Sequence, residues 1–568
     1  MAAGDQKESN SVAVIGSGLA GLTTAYLLRR GGYEVELFEK ASSIGMDAGS
    51  ISVDGVRVDV PFRVFTPDYY PYLYSLYRHL GIEFSAADYS LGFADEQART
   101  LWSYTNLTLG DFQLPVTDNI AKEQRLVVTR DWIRLVFTCV RAVRAPAILR
   151  PGGRLDQLTI GQYLDKEQYS RIFVDRVFVP FIASLLTCSL SAARDYPANT
   201  VLHFVSKAVC GARLRKAKNG VQEVCEVLAR GIKTHLEAGI QKMEIKDKRK
   251  VLLVTEDNVE HWFDKVVLAT PADTAARLLR SAQTSTEYPP VELLAALDAV
   301  PYEDTVVVTH RDTSVMPENE AEWRGVNIRT STASGHAMAT HWINFVERTS
   351  TGRKLSTPVF QTVDPLVKLS KSKIISKTAF HRSLVSLDSQ ARINSIHRHQ
   401  GTCGIWLVGT YTSPGVPLLE GCVRTAIDVA RAMGVCPPFS APHTVRKSHS
   451  SAAYEVGLAA GMTRGEIVEA FFENDAAGTF DFPCPKLPTK HGIGAERTSF
   501  IQWVKAFMAW FSFSVLLPLF AVTLSIVDWL VCTMLGHDLG YRVQFVVLDV
   551  VVFVICMVQI AYKRLALL

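Results

Sequence analysis

The chain has 568 residues, 48% of them hydrophobic, with 60 basic and 56 acidic side chains and a formal net charge of +4. That length allows two or three domains with large cores, and the near balance of charge, with no basic block interleaved with aromatics, argues against a nucleic-acid partner. Ten cysteines are scattered without a Cys-x-x-Cys pair, so the pattern is that of reduced, mostly buried thiols rather than a disulfide framework.

The polar start MAAGDQKESNSV enters an apolar strand directly, and no signal peptide is expected ahead of the fold. Residues 12–40, VAVIGSGLAGLTTAYLLRRGGYEVELFEK, then read as strand, tight turn, helix, strand and acidic tip. Gly16 permits the turn, Gly18 lets backbone approach a pyrophosphate, and Gly21 lets helix and strand pack closely. Helix N–H groups at Ser17, Leu19 and Ala20 face the phosphate charge, and Glu39, followed by Lys40, can accept hydrogen bonds from ribose hydroxyls. A glycine-rich turn in an ordinary doubly wound sheet explains the glycines but not Glu39. The motif alone does not choose between FAD and NAD.

Ile51–Val60 looks like a hairpin around Gly55, feeding a helix over Tyr69–Leu80 that ends at Gly81. Residues 91–130 alternate as an antiparallel sheet would, and residues 131–215 are helix-like and rich in aromatic and aliphatic side chains, suited to a cap over an apolar pocket or to a plain helical core. GIQKMEI, KVLLVTED and FDKVVLATPAD are three short strands, and DTVVVTH and HAMATHWINFV are two more. TCGIWLVGTYTSPGVPLLEGCVRTAIDVARAMGV is strand, glycine, loop, Glu-Gly and helix. Residues 436–500, rich in Pro, Ser, Gly and charge, read as a linker. Two apolar segments follow, roughly Ala506–Leu535 and Val543–Ala561, each long enough to cross a hydrocarbon core as a helix. Lys505 before the pair and Lys563 and Arg564 after it place the body and the C-terminus in the cytosol, although Arg542 in the intervening turn pulls the other way. Asp528 and Asp549 fall in or near these spans, as interfacial or helix–helix polar groups. The Asn106-Leu107-Thr108 sequon is expected to be unused.

Four stretches carry a resemblance. GSGLAGLTTAYLL with VELFEK, DVPFRVFTPDYYPYLYSLYRHLGI, FDKVVLATPADTAARLL and WLVGTYTSPGVPLLEGCVRTAIDVA are similar to segments of the flavin-containing amine oxidase and phytoene-desaturase-like superfamily. Within it, the chain most resembles a branch of FAD-dependent oxidoreductases, some of which act on lipid acyl chains. The resemblance covers about 1–435. It implies an α/β fold: a Rossmann-like FAD-binding domain with an interleaved β-sheet and helical substrate domain, to which the sequence adds the transmembrane helical hairpin at 501–568. It further implies that Gly16, Gly18, Gly21 and Glu39 hold the ADP half of FAD, that the backbone of Ile240 receives the adenine, and that Gly409, Glu420, Gly421 and Val423 line the ribityl–isoalloxazine end. Departures are specific. Ser43-Ile44-Gly45-Met46-Asp47-Ala48 stands where many members carry Gly-Gly or Gly-Gly-Arg, with Arg63 as a replacement for the basic residue, and no lysine matches the one amine oxidases place near flavin N5.

Flavin chemistry asks the protein mainly to orient the donor carbon and exclude water. The candidate catalytic residues are Tyr411 and His381, with Trp342 and Asn344 as further pocket candidates. The plainer readings are a tyrosine walling the flavin and a satisfied loop histidine. Cys403 could link a flavin covalently or be a buried strand cysteine. No metal site is expected, since His397 and His399 lack a partner set. The leading expectation is a membrane-anchored FAD-dependent oxidoreductase, multi-pass through two C-terminal helices in the endoplasmic reticulum, moving a hydride from or to a lipid or isoprenoid-like substrate, with oxygen or another redox partner left open. A peroxide-releasing amine oxidase and a non-catalytic membrane flavoprotein are the alternatives.

Overall fold

The computed structural model describes residues 10–439 except 46–48, 88, 110–111, most positions from 121 to 156, 209–213, 247–249, 283–287, 332–333 and 348–354. The chain divides into two units, Met1–Gly478 and Thr479–Leu568, and the described residues all belong to the first. The apolar spans, Asp528, Asp549 and all but the first four residues of the expected linker lie outside the described residues. Among the described residues no helix is long and apolar enough to cross a membrane.

Val12–Ile15 is an apolar run because its strand is buried on both faces. Ser11–Ile15 is the middle strand of a five-stranded parallel sheet, ordered Lys233–His235, Glu34–Phe38, Ser11–Ile15, Lys265–Leu268, Ile405–Leu407. The crossover is the helix Leu19–Arg30, whose Arg29 and Arg30 suit the partial negative charge of its C-terminal turn. Its apolar side packs against the late helix Leu419–Ala432, with Leu22, Leu27 and Leu28 meeting Val423, Ile427 and Ala430 in one core cluster. The first and last sequence motifs thereby enter the same sheet, their strands separated by Lys265–Leu268 and their helices packed together.

An eight-stranded mixed sheet forms the second layer system, ordered Ile374–Ser383, Tyr302–His310, Phe360–Val363, His336–Trp342, Val326–Ser331, Leu91–Ala94, Thr100–Leu109, Phe112–Ile120. All its pairs are antiparallel except Val326–Ser331 with Leu91–Ala94. The helix Val179–Leu186 packs on it against His336–Trp342 and Val326–Ser331, and Phe173, Phe178, Phe181, Ile182 and Leu202 are buried in one core cluster with Leu91, Phe93, Trp102, Val326 and Ala339. The aromatic-rich middle segment therefore supplies part of this core and, through Phe181, Leu185 and Phe204, part of a cavity wall.

The hairpin expected near Gly55 is Ser50–Val53 with Val56–Asp59, and the helix expected over Tyr69–Leu80 runs Pro71–His79. Two expectations change. FDKVVLATPAD divides between two sheets: Phe263 ends the third strand of a three-stranded sheet, and Lys265–Leu268 enters the parallel sheet. HAMATHWINFV is a strand only to Trp342, after which Ile343–Glu347 is helical.

Candidate dinucleotide and substrate cavity

Gly16 has φ +103°, and a Cβ there would stand 2.7 Å from the carbonyl oxygen of Ala269, so the turn admits only glycine. Gly21 is tighter: its Cβ would lie 2.0 Å from the Gly16 carbonyl. Gly18 differs from both. A Cβ on it would meet nothing within 4 Å, and it begins the first helix with no side chain capping the exposed N–H groups. Gly18, Leu19 and Ala20 line the cavity described below. The loop thus offers an uncapped, partially positive helix end to open space.

Glu39 follows the strand Glu34–Phe38. Its Oε2 accepts from the backbone N–H of Ser17 (2.8 Å) and the Ser17 hydroxyl (2.6 Å), and its Oε1 accepts from the Ala41 N–H (2.9 Å). A carboxylate has about four lone-pair sites, so Glu39 is both clamped to the glycine loop and able to accept more. Lys40 is exposed beside it. Glu39 also ties in the segment leading to Ile240, since Ala238 N–H donates to its carbonyl (2.9 Å). Two residues on, Ile240 opens the strand Ile240–Lys246, and its carbonyl accepts from Arg277 at 3.4 Å.

The late motif behaves unevenly. Gly409 (φ +148°) lies at the cavity wall, its N–H bonded to Thr425 Oγ1 (3.2 Å). Leu418, Leu419 and Cys422, at the uncapped start of the late helix, line the same wall. Glu420 does not present its carboxylate there. It accepts from the N–H groups of Tyr72 (3.1 Å) and Leu73 (3.0 Å), capping the helix Pro71–His79 instead. Burial pushes Glu420 up to about 7, opposed by the nearby Arg424 guanidinium. Val423 is fully buried against the first helix rather than lining the cavity. Gly421 borders a neighbouring cavity of about 280 Å³ that shares Thr410 and Tyr411 with the main one.

The main cavity has a volume of about 380 Å³. Part of the lining is the glycine-rich loop, Ala269–Pro271 and Gly409–Tyr411; part is apolar sheet and helix, including Leu91, Phe181, Leu185, Phe204, Val326 and Val363. Arg63 and Arg382 line it, and no aspartate or glutamate does among the described residues. Tyr411 lines this space, but its hydroxyl is enclosed in the protein with no hydrogen-bond partner, and burial holds its proton on well above the usual phenol range.

His381 is on the strand Ile374–Ser383, not in a loop. It lies at the rim, half exposed, with Nδ1 2.7 Å from Asp304 and its ring stacked on Tyr302 at 4.3 Å. Trp342 and Asn344 do not line the cavity. Trp342 packs edge-on against Trp323, and Asn344 braces Thr357 and Val359. The neighbouring His341 does face it, paired with Tyr89 through Nε2 at 2.6 Å, and neither residue stands out in the sequence. Strand alternation is the signal that could have found it: Ala339 and His341 share a face. Cys403 precedes the strand Ile405–Leu407, at the end opposite Gly409 and away from the cavity. Among the described residues one trio, Glu36, His235 and His261, brings ligand-type atoms within 4.8 Å, yet Glu36 is already engaged by His235 (2.7 Å) and Lys233 (3.0 Å).

Residues 14–80 match the family of NAD(P)-binding Rossmann-like domains. A zeta-carotene desaturase from Synechocystis is 42% identical over 71 residues, which is 12% of this chain and 14% of the length of that relative. Among the solved structures that match over most of the chain, two are relevant here. The fatty acid isomerase from P. acnes, described as CLA-producing, is 14% identical with a TM-score of 0.53, covering 75% of this chain and 99% of its own. The cyclohexylamine oxidase from Brevibacterium oxydans is 15% identical with a TM-score of 0.51, covering 75% and 98%. At these identities the likeness is one of fold.

Proposed function

We propose that this chain, which has the fold of the flavin-containing amine oxidase and phytoene-desaturase-like superfamily, is an FAD-dependent oxidoreductase acting on an apolar substrate. The observation that carries this reading is the cavity itself. It joins the uncapped helix end at Gly18 to an apolar sheet face and has no carboxylate in its described lining. The residues fit FAD: Gly18 leaves room where a side chain would intrude, and Glu39 has acceptor sites left. Bound FAD would supply a hydride acceptor or donor at its isoalloxazine N5.

The first helix would hold the pyrophosphate with its N–H groups, Glu39 the adenosine ribose, and the Ile240 segment the adenine. Gly409 and the start of the late helix would border the isoalloxazine. Phe181, Leu185 and Phe204 exclude water and orient an apolar chain by shape. A protonated amine would lose its hydration beside Arg63 and Arg382 without a counter-ion, a cost of several kcal/mol or more, so the amine oxidase alternative is disfavoured. The body at 1–435, the linker at 436–500 and a membrane hairpin at 501–568 complete the reading, with the body on the cytosolic side of the endoplasmic reticulum and the membrane as the substrate's reservoir.

The test joins both parts. The full chain should stay in membranes through an alkaline carbonate wash. Extracted in detergent under anaerobic conditions, its flavin should bleach with apolar alcohols or alkenes and not with a panel of primary amines. Bleaching by amines alone would sink the substrate class, and release by carbonate would sink the anchor.

A further inference from the structure

Residues 365–387 contain four lysines and Arg382, and no aspartate or glutamate. The segment first covers a core with Leu366, Val367 and Leu369, then becomes Ile374–Ser383, an edge strand of the mixed sheet. Lys368, Lys371, Lys373 and Lys377 are all exposed. Lys373 reaches Asp312 at 3.3 Å, while the other three have no carboxylate partner among the described residues. That sets them apart from Lys218, Lys233, Lys242 and Lys250, each paired with a glutamate or aspartate.

Ile374 and Ile375 stand between these cations, 37% and 38% exposed, and Leu387 beyond the strand is 43% exposed. The segment thereby holds three of the seven large apolar side chains exposed among the described residues. Val259 and Trp262, exposed elsewhere, lie instead among Glu256, Asp257 and Glu260. Exposed apolar groups among unpaired cations suit the interface of an anionic bilayer, where isoleucine leaves water and ammonium groups meet phosphate. Lysines on an edge strand also deter pairing with another sheet. Lys368 and Lys371 precede the strand and guard no edge, and the two isoleucines would invite contact rather than prevent it.

The strand ties this patch to the cavity. Ile375, Lys377, Ala379 and His381 alternate onto one face, and all four are exposed. The stripe ends at His381 on the cavity rim, where Arg382 and Ser383 join the lining.

We infer that Lys368, Lys371 and Lys377, with Ile374 and Ile375, form a docking surface for the headgroup region of an anionic bilayer. The inference rests on the proposed membrane-held oxidoreductase and adds to its hairpin a second contact, made by the body itself. Its consequence is orientation. Six strand residues, about 20 Å, separate Ile375 from His381, so docking brings the cavity rim close to the membrane that would hold an apolar substrate.

The test uses the full chain reconstituted in vesicles of phosphatidylcholine, with or without phosphatidylglycerol, neither of which carries a reactive amine. Flotation reads association, and a water-soluble acylating reagent with mass spectrometry reads each lysine against the lysines outside the segment. Lys371, Lys373 and Lys377 should lose reactivity severalfold in the anionic vesicles only, and regain it in about 1 M salt, where screening is strong. Each lysine should multiply the docked population by about five. The triple variant Lys368→Gln, Lys371→Gln, Lys377→Gln should therefore lower it on the order of a hundredfold, with Lys373 left as the reporter. Equal reactivity in both vesicles, with the chain floating in each, overturns the docking surface and leaves the anchor standing. Protection that grows with protein density and ignores lipid charge overturns it too, in favour of a second copy on the edge strand. Flotation with anionic vesicles alone supports the docking surface and removes the hairpin; flotation with neither removes both.

Discussion

Gly18 and Gly21 are one helical turn apart, yet a methyl group added to each meets opposite surroundings. At Gly21 it would press within 2.0 Å of a carbonyl oxygen that the turn cannot move. At Gly18 it would project into the space where a dinucleotide would lie. Gly21→Ala should therefore destabilise the fold itself by about 1–3 kcal/mol or more, the range of overpacking. Gly18→Ala should leave the melting temperature of the cofactor-free protein nearly unchanged and abolish FAD retention. Denaturation and flavin content measured on both variants separate these outcomes. Equal loss of stability in the two would mean that Gly18 serves packing alone. This contrast was legible in the sequence because every part of the glycine loop lies within one local βαβ pattern. Tyr89 and His341 were not legible, since a hydrogen bond spanning 252 positions leaves no local pattern.

At the scale of elements, the late helix does a task that its motif conceals. Glu420 looks like a flavin ligand in a Glu-Gly helix start, but its carboxylate closes the N-terminus of the helix Pro71–His79. Sequence shows which residue begins a helix; it does not show that another helix end lies beside it. The same loss of tertiary information displaced attention from His341 to Trp342, one residue along a strand and therefore on the opposite face. The burial of this carboxylate, which its two capping hydrogen bonds only partly offset, has a pH signature. Glu420 is held at about 7 in the folded protein against an ordinary value of 4.5, so the folded state binds its proton more tightly than the unfolded chain does. Its contribution is fully present below about 4.5 and is lost as pH rises through about 7, an effect of up to roughly 3 kcal/mol. Glu420→Gln, neutral throughout, should flatten the dependence of stability on pH between about 5 and 8 in chemical denaturation. An unaltered slope would assign the titration to another group.

Across the described fold, the proposed function divides the work between the two largest sheets: the parallel sheet would present helix ends and loops to a dinucleotide, and the mixed sheet an apolar face to a substrate. The parallel half could be read from apolar strands, glycines and Glu39, since those features are set by backbone geometry and local charge. The mixed half could be recognised only as strands and aromatic helices, because its strand order interleaves distant segments and no local period encodes that order. The absence of any carboxylate from the described lining is also a property of the folded surface rather than of composition. The most direct measurement is the visible absorbance spectrum of the full-length protein purified in detergent, taken before and after heat release of its chromophore. The account predicts a flavin spectrum, with FAD recovered in the supernatant in near-equimolar amount. A colourless protein that does not take up added FAD would contradict it.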